Sequence, residues 1–224
     1  MSKKIKEIII IGGGGLALEI YSYIIDDKKF KIKGVLNEDE KCELLDHHPD
    51  LFYLGSINDY VPTSDDEGLI CVGKATIRKK IYSVCKEKNL KLVSYFHSSS
   101  HISSNSIIGD GVFIGPHCII SAHSNIKDNV ALNVYCGVGH GATIDEHSVM
   151  SPYSVINGDC KLGEGVFLGS RVTLFPKIEI GSFSMVDAGA VIRENIPSCS
   201  IVSQRVEQKT IDNRILRKQL LDND

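Results

Sequence analysis

Eight histidines, seven cysteines and 28 acidic residues are available in this chain for proton transfer, metal binding or nucleophilic attack. One histidine stands apart by its neighbours. Eighteen residues to either side of His140 lie Ala122 and Gly158, both small. If those three positions stack, the imidazole borders an open slot, whereas a packed structural histidine would have bulk beside it. Imidazole changes protonation state near neutral pH, which suits it to take a proton from an attacking amine or hydroxyl. On stacking alone, a functional and an incidental histidine remain equally open. His47 and His48 precede Pro49 in a polar loop, and His97 and His101 lie where two parts of the chain meet. These four, with His117, His123 and His147, read as surface residues. The cysteines are scattered without a CxxC pair, which argues against a disulfide framework and a zinc site.

A second chemical signal is the run Gly12-Gly13-Gly14-Gly15. It follows a β-rich run over residues 6–11 and precedes Leu16, Ile20 and Ile24, spaced as one face of a helix. Gly12, Gly14 and Ala17 satisfy G-x-G-x-x-A at a strand-to-helix turn, where backbone N–H groups can face a phosphate. A second strand over Lys31–Leu36 ends in Asn37-Glu38-Asp39-Glu40, at the carboxyl edge where open α/β sheets bind ligands. Leu69–Val72 reads as a third strand, with Gly73-Lys74-Ala75 as its turn. Ile77–Lys88 follows as a helix with a basic exposed face, and Lys91–Tyr95 as a last strand. Residues 1–95 thus form a half-Rossmann α/β unit. Two bland alternatives remain: a cap that shields a solenoid end, and a nicotinamide site. For the latter the unit is half the usual size and has no acid placed for an adenosine ribose.

What must position His140 is a repeat. From Ile102 to Ile192 every sixth residue is aliphatic or Met, sixteen positions without an insertion. Two residues before each lies a small or β-branched slot that includes Cys118, Cys136 and Cys160, and the slot after favours tight-turn residues such as Gly109 and Asn133. Period six fits neither a helix nor an alternating strand, but matches hexapeptide β-helix units. Three units make one triangular coil, so residues eighteen apart stack. This predicts a left-handed parallel β-helix of about five coils over 96–203, with the slot cysteines as small buried hydrophobes. Over 204–224, Ile211, Ile215, Leu216 and Leu220 predict a helical tail that caps the last coil.

Composition excludes other classes. A net charge of -3, no tryptophan and 7% aromatics give neither the basic patch nor the stacking platform of a nucleic-acid binder. The apolar run Ile8–Ile11 is far short of a membrane span, and the start of the chain lacks a signal-peptide pattern, so the expectation is a cytoplasmic protein with no membrane partner.

Four stretches resemble one family: Ile11 to Gly15, Gly34-Val35-Leu36-Asn37, Val72 to Arg78, and Leu132 to His140. The family is that of nucleotide-sugar acetyltransferases, including sialic-acid O-acetyltransferases and bacillosamine and perosamine N-acetyltransferases, and the resemblance spans almost the whole chain. It implies an acetyl-CoA-dependent N-acetyltransferase, with no metal, acting on a nucleotide-linked sugar of the 4-amino-4,6-dideoxy type for surface-glycan (lipopolysaccharide O-antigen) synthesis. Sugar O-acetylation and a non-catalytic solenoid or nucleotide-sugar-binding protein are the alternatives. His140 would be the general base, and Asn133 would orient the base or the acceptor amine. Gly12, Gly13, Gly14, Gly15, Asn37, Glu38, Gly73 and Lys74 would hold the nucleotide sugar. Acetyl-CoA would lie along the β-helix between two chains of a homotrimer, using Gly158 for the thioester and the backbone of Gly169, Ser170, Ala188 and Gly189 beyond it. The chain departs from the family at Leu16-Ala17, where His-Gly is common, at Asn37-Glu38, where Asp-Asp is common, and at Gly141, where an acid usually follows the base. Asp159, stacked on Gly141, is the candidate replacement.

Overall fold

The computed structural model describes residues 5–203; the expected tail helix lies outside the described residues. The chain opens as β1 (Lys6–Ile11), α1 (Gly15–Asp27), β2 (Phe30–Leu36), α2 (Glu43–His47), β3 (Glu67–Ile70), α3 (Ala75–Glu87) and β4 (Lys91–Leu92). The four strands make one parallel sheet in the order β2-β1-β3-β4. Ile8, Ile9, Ile10 and Ile11 are all buried, as a central strand covered on both faces requires. The third strand ends two residues earlier than the sequence suggested.

The run Lys91–Tyr95 is not one strand. Ser94 breaks it: its hydroxyl donates to Gly109 O (3.0 Å) and accepts from Val112 N (3.0 Å). The chain then re-enters as β5 (Tyr95–Phe96), which pairs with Phe113–Ile114 as the first strand of the solenoid. From β5 to Ile201–Val202, eighteen two-residue strands form three parallel sheets of seven, six and five strands. The left-handed β-helix therefore has six turns rather than about five, because β5 and Ile201–Val202 extend it at both ends.

Partners are eighteen residues apart, as in Ala131↔Val149 and Val138↔Ile156, up to the last rung, where Met185 pairs with Ile201 at sixteen. The aliphatic slot fills the prism: Ile114, Ile120, Ile126, Leu132, Val138, Ile144 and Met150 belong to one buried cluster. Each such side chain contributes about 1.5–3 kcal/mol of burial. Cys118, Cys136 and Cys160 are buried in the small slot, with Cys118 Sγ donating to Asn133 O (3.0 Å).

The three prism faces differ outside. Face 1 (Tyr95, Phe113, Ala131, Val149, Phe167, Met185) is covered in its first half by α1 and β1 in a shared apolar cluster. Face 2 carries Ile119, Val155 and Val191, of which Ile119 is 57% and Val191 45% exposed. Face 3 begins with exposed Ile107 and is polar beyond it, with Lys127–Asp145 and Lys161–Glu179 ion pairs. Corner I joins faces 1 and 2, corner II faces 2 and 3, and corner III faces 3 and 1.

Candidate active site

The carboxyl ends of β1, β2 and β3 converge. Gly12 takes φ 111°, and a Cβ there would lie 2.6 Å from Val72 Cγ2. Gly13 is pressed against Cys42. Only Gly14, exposed and capping α1, has open space around it. The first turn of α1 therefore presents unblocked N–H groups to an anion. Asn37 Nδ2 donates to Asp39 O (2.8 Å), and Glu38 Oε1 accepts from Asn58 Nδ2 (3.4 Å), which holds the acidic turn beside the glycines. Gly73 and Lys74 follow β3, with exposed Lys74 as the N-cap of α3.

Between this edge and face 1 lies a cavity of about 110 Å³. Its walls are apolar (Leu16, Phe113, Ala131, Val149, Phe167), and Asn133 and Ser151 supply polar groups. Asn133 stands at corner I. Its Oδ1 accepts from Val134 N (2.7 Å), and its Nδ2 reaches Glu19 Oε2 on α1 (3.4 Å). Glu19 and the cavity walls were not singled out from sequence. The wall had a signal, since Tyr95, Phe113, Ala131, Val149 and Phe167 are outward-facing yet apolar at a spacing of eighteen.

His140 is exposed at corner II, between Ala122 and Gly158. The stacking is fixed by backbone bonds: Gly141 N to Ala122 O (3.1 Å), Asp159 N to His140 O (2.8 Å) and Lys177 N to Gly158 O (2.9 Å). The imidazole fills the space above Gly158, where a Cβ would come within 2.5 Å of Nε2 and 2.6 Å of Cε1. Likewise the Asp159 carboxylate occupies the place of a side chain at residue 141, whose φ is 66°. Asp159 thus stands next to His140 in the column, supplied by the following coil.

The structure separates the remaining candidates. His140, Gly158 and Asp159 share corner II, whereas Asn133, Gly169, Ser170, Ala188 and Gly189 share corner I, across face 2. Asn133 therefore does not orient the imidazole of its own chain. Gly169 is buried, with N–H on Val186 O (2.8 Å) and C=O on Ser154 Oγ (2.7 Å). A Cβ there would meet Ala188 N at 2.6 Å, so that glycine is explained by coil packing and offers no free group to a ligand. Ala188 and Gly189 are exposed. Corner I also carries a ladder of side chains: the rings of His117 and Tyr135 stack at 4.8 Å, those of Tyr135 and Tyr153 at 4.8 Å, and the Arg171 guanidinium lies 4.7 Å over Tyr153.

Two residues read as exposed are buried at corner III. His147 is 7% exposed and Arg78, from the basic helix, is fully buried. In both cases α3 docks onto the corner.

No family model matches the chain. Among solved structures, a mutant of perosamine N-acetyltransferase from Caulobacter crescentus in complex with CoA and GDP-perosamine aligns with a TM-score of 0.80 at 22% identity. It covers 90% of this chain and 95% of that one. The acetyltransferase domain of PglB from Neisseria gonorrhoeae in complex with acetyl coenzyme A aligns at 0.76 and 23% identity, covering 87% and 94%. The bifunctional protein GlmU of Shouchella clausii is 27% identical over 142 residues, 53% of this chain and 31% of that relative. The chain spans about a third of the length of the curated relatives it matches first. The two structural likenesses run through both the α/β unit and the β-helix, and they establish the fold.

Proposed function

We propose that the protein is an acetyltransferase that moves the acetyl group of acetyl-CoA onto the amine of a nucleotide-linked amino sugar, with His140 as general base. The observation that carries this reading is the exposed His140 imidazole seated against side-chain-free Gly158, in a chain that also presents an open glycine turn at a helix N-terminus. The glycine turn and Lys74 suit the diphosphate of the acceptor. The apolar cavity beside Gly73 suits a sugar bearing a methyl group, as a 4-amino-4,6-dideoxy sugar does.

In the reaction the sugar nitrogen attacks the thioester carbonyl carbon, and His140 accepts the proton that the nitrogen loses as the C–N bond forms. The tetrahedral oxyanion is stabilised by backbone N–H donors. Its collapse breaks the C–S bond, and the imidazolium returns the proton to the departing sulfur, giving the amide and free coenzyme A.

A single chain holds the acceptor turn next to corner I and the base at corner II. A second copy whose corner II meets corner I of the first would close the site. Exposed Ile119 and Val191 on the face between the two corners supply apolar area for such a contact, and a cyclic trimer satisfies all copies equally. Light scattering is expected to give three times the chain mass; one chain's mass of 24.6 kDa at assay concentration would rule the shared site out. No helix among the described residues is long and apolar enough to cross a membrane, and a cytoplasmic supply of acetyl-CoA fits the reading.

The deciding experiment is thiol release from acetyl-CoA across UDP-, GDP- and dTDP-linked amino sugars and their hydroxyl counterparts. Turnover with an amino sugar, lost in His140→Ala while coenzyme A still binds, supports the proposal. Turnover only with the hydroxyl sugars makes it an O-acetyltransferase, and none with any acceptor removes the enzymatic reading.

A further inference from the structure

Arg78 closes one of the family-like stretches, yet the reaction above gives it no part. Its guanidinium is fully buried and faces no carboxylate among the described residues. Neutral oxygens take all five N–H donors. Nη1 donates to Ile70 O (2.8 Å) and Val72 O (3.0 Å), and Nη2 to Asn129 Oδ1 (2.7 Å) and Asn129 O (3.1 Å). Nε shares that last carbonyl at 3.1 Å. Burial pushes the guanidinium down to about 10, still charged at neutral pH. A buried cation without a counter-ion is costly. Here it joins the strand end that launches the Gly73–Lys74 turn to corner III of the β-helix.

The guanidinium also fixes the Asn129 amide. With Oδ1 facing Arg78, Nδ2 points the other way, donating to Arg78 O (3.2 Å) and meeting His147 Nδ1 at 3.0 Å. Nδ1 must then be the acceptor, which leaves the proton of the neutral ring on Nε2, towards Glu164 Oε1 at 3.9 Å. A proton added at Nδ1 would set two donors face to face. Turning the Asn129 amide relieves that contact only by pointing Nδ2 at Arg78. Arg78, Lys79 and Tyr82 face His147 from α3, Asp128 from the preceding coil and Glu164 from the following one. Burial holds the imidazole below its ordinary value; Glu164 and Asp128 oppose this, and Lys79 and Arg78 reinforce it.

We propose that Arg78, Asn129 and His147 form a clasp that positions the Gly73–Lys74 turn for the acceptor and opens when His147 takes a second ring proton. Nucleotide-sugar binding would then fall in acid while the His140 corner keeps its hold on coenzyme A. Arg78 is a positioning residue in this scheme, which rests on the proposed acceptor role of Gly73 and Lys74.

The test follows the His147 ring by NMR in the full chain from pH 7.5 to 5. In parallel, calorimetry measures binding of UDP-, GDP- and dTDP-linked neutral hexoses, which carry no amine to titrate, and of coenzyme A. The hexose Kd is expected to rise about tenfold, the scale of one lost charged hydrogen bond, with the midpoint of His147, and the coenzyme A Kd to stay level. His147→Gln keeps an oxygen towards Asn129 and cannot charge, so its hexose Kd should be flat. Asn129→Asp places a carboxylate between Arg78 and His147, and should raise the His147 midpoint and preserve binding in acid. A flat wild-type Kd across the His147 titration, or an acid loss that persists in His147→Gln, overturns the proposal. If no nucleotide hexose binds at any pH, the acceptor reading fails instead. Amide exchange over residues 70–78 then decides the clasp: acceleration on His147 protonation supports it, and unchanged exchange refutes it.

Discussion

One added methyl group at Gly158 should disable the His140 corner without unfolding it. A Cβ at this position would stand 2.5 Å from His140 Nε2 and 2.6 Å from Cε1, against 3.4 Å or more for ordinary contact. The neighbour is the far end of an exposed ring rather than backbone, so the ring yields and the coil does not. It must retreat by about an ångström, and a misplacement of that size costs on the order of 10² in kcat. Gly158 does not occupy the left-handed region, so alanine brings no backbone strain. The change in stability should stay within about 1 kcal/mol. The assay is thiol release at saturating acceptor, run as a cycle with His140→Ala, which by itself should cost about 10²–10⁴. If the methyl acts by displacing the base, Gly158→Ala has no further effect once the imidazole is gone. Wild-type turnover in Gly158→Ala, or two losses that simply multiply, would refute this reasoning.

Three further outcomes are expected. Gly14→Leu, at a position with open space around it, should raise the acceptor KM and leave the coenzyme A Kd unchanged; a loss of coenzyme A binding would reverse the assignment of the two domains. Asp159→Asn should lower kcat with an unchanged Tm if its carboxylate serves the imidazole, and unaltered kcat would mean that His140 works without an acid. Burial alone would raise the Asp66 carboxyl, but bonds from Lys33, Thr63 N–H and the Tyr60 hydroxyl hold it well below the usual range. Its contribution is complete above the unfolded value of about 3.9 and lost as pH falls through the depressed folded value. The wild-type Tm should therefore drop more steeply than that of Asp66→Asn in acid melts, and parallel curves would discount the network.

The β-helix was legible because its rule is local and strict. One aliphatic residue in six must fill the prism, and Ile102 to Ile192 obeys it without a gap. The His140–Gly158 contact was legible for the same reason, since a fixed period turns sequence distance into spatial adjacency. What the period could not give is which corner the α/β unit would cover. Arg78 on a basic helix looks like any solvated cation until α3 is seated on corner III, and His147 looks like the exposed His123 of corner II until Tyr82 closes over it. The break at Ser94 was hidden because the apolar run through Tyr95 continues on both sides of it. Only the hydroxyl bonds to Gly109 and Val112 mark the change from sheet to solenoid.

The separation of Asn133 from His140 follows from the same arithmetic. The two are seven residues apart, one full hexapeptide unit plus one residue, which carries the chain from corner I across face 2 to corner II. No side-chain motion undoes that, because both positions are fixed by backbone bonds to the coils on either side. The α/β unit is equally fixed, by the apolar cluster that α1 shares with Phe113, Ala131 and Val149 and by the Arg78 bonds to Asn129. On the proposed reading, an acceptor held at the Gly73–Lys74 turn therefore presents its amine beside corner I, and the base that receives its proton belongs to another copy. Catalysis then depends on assembly, and dilution that separates the copies should abolish turnover while each chain remains folded.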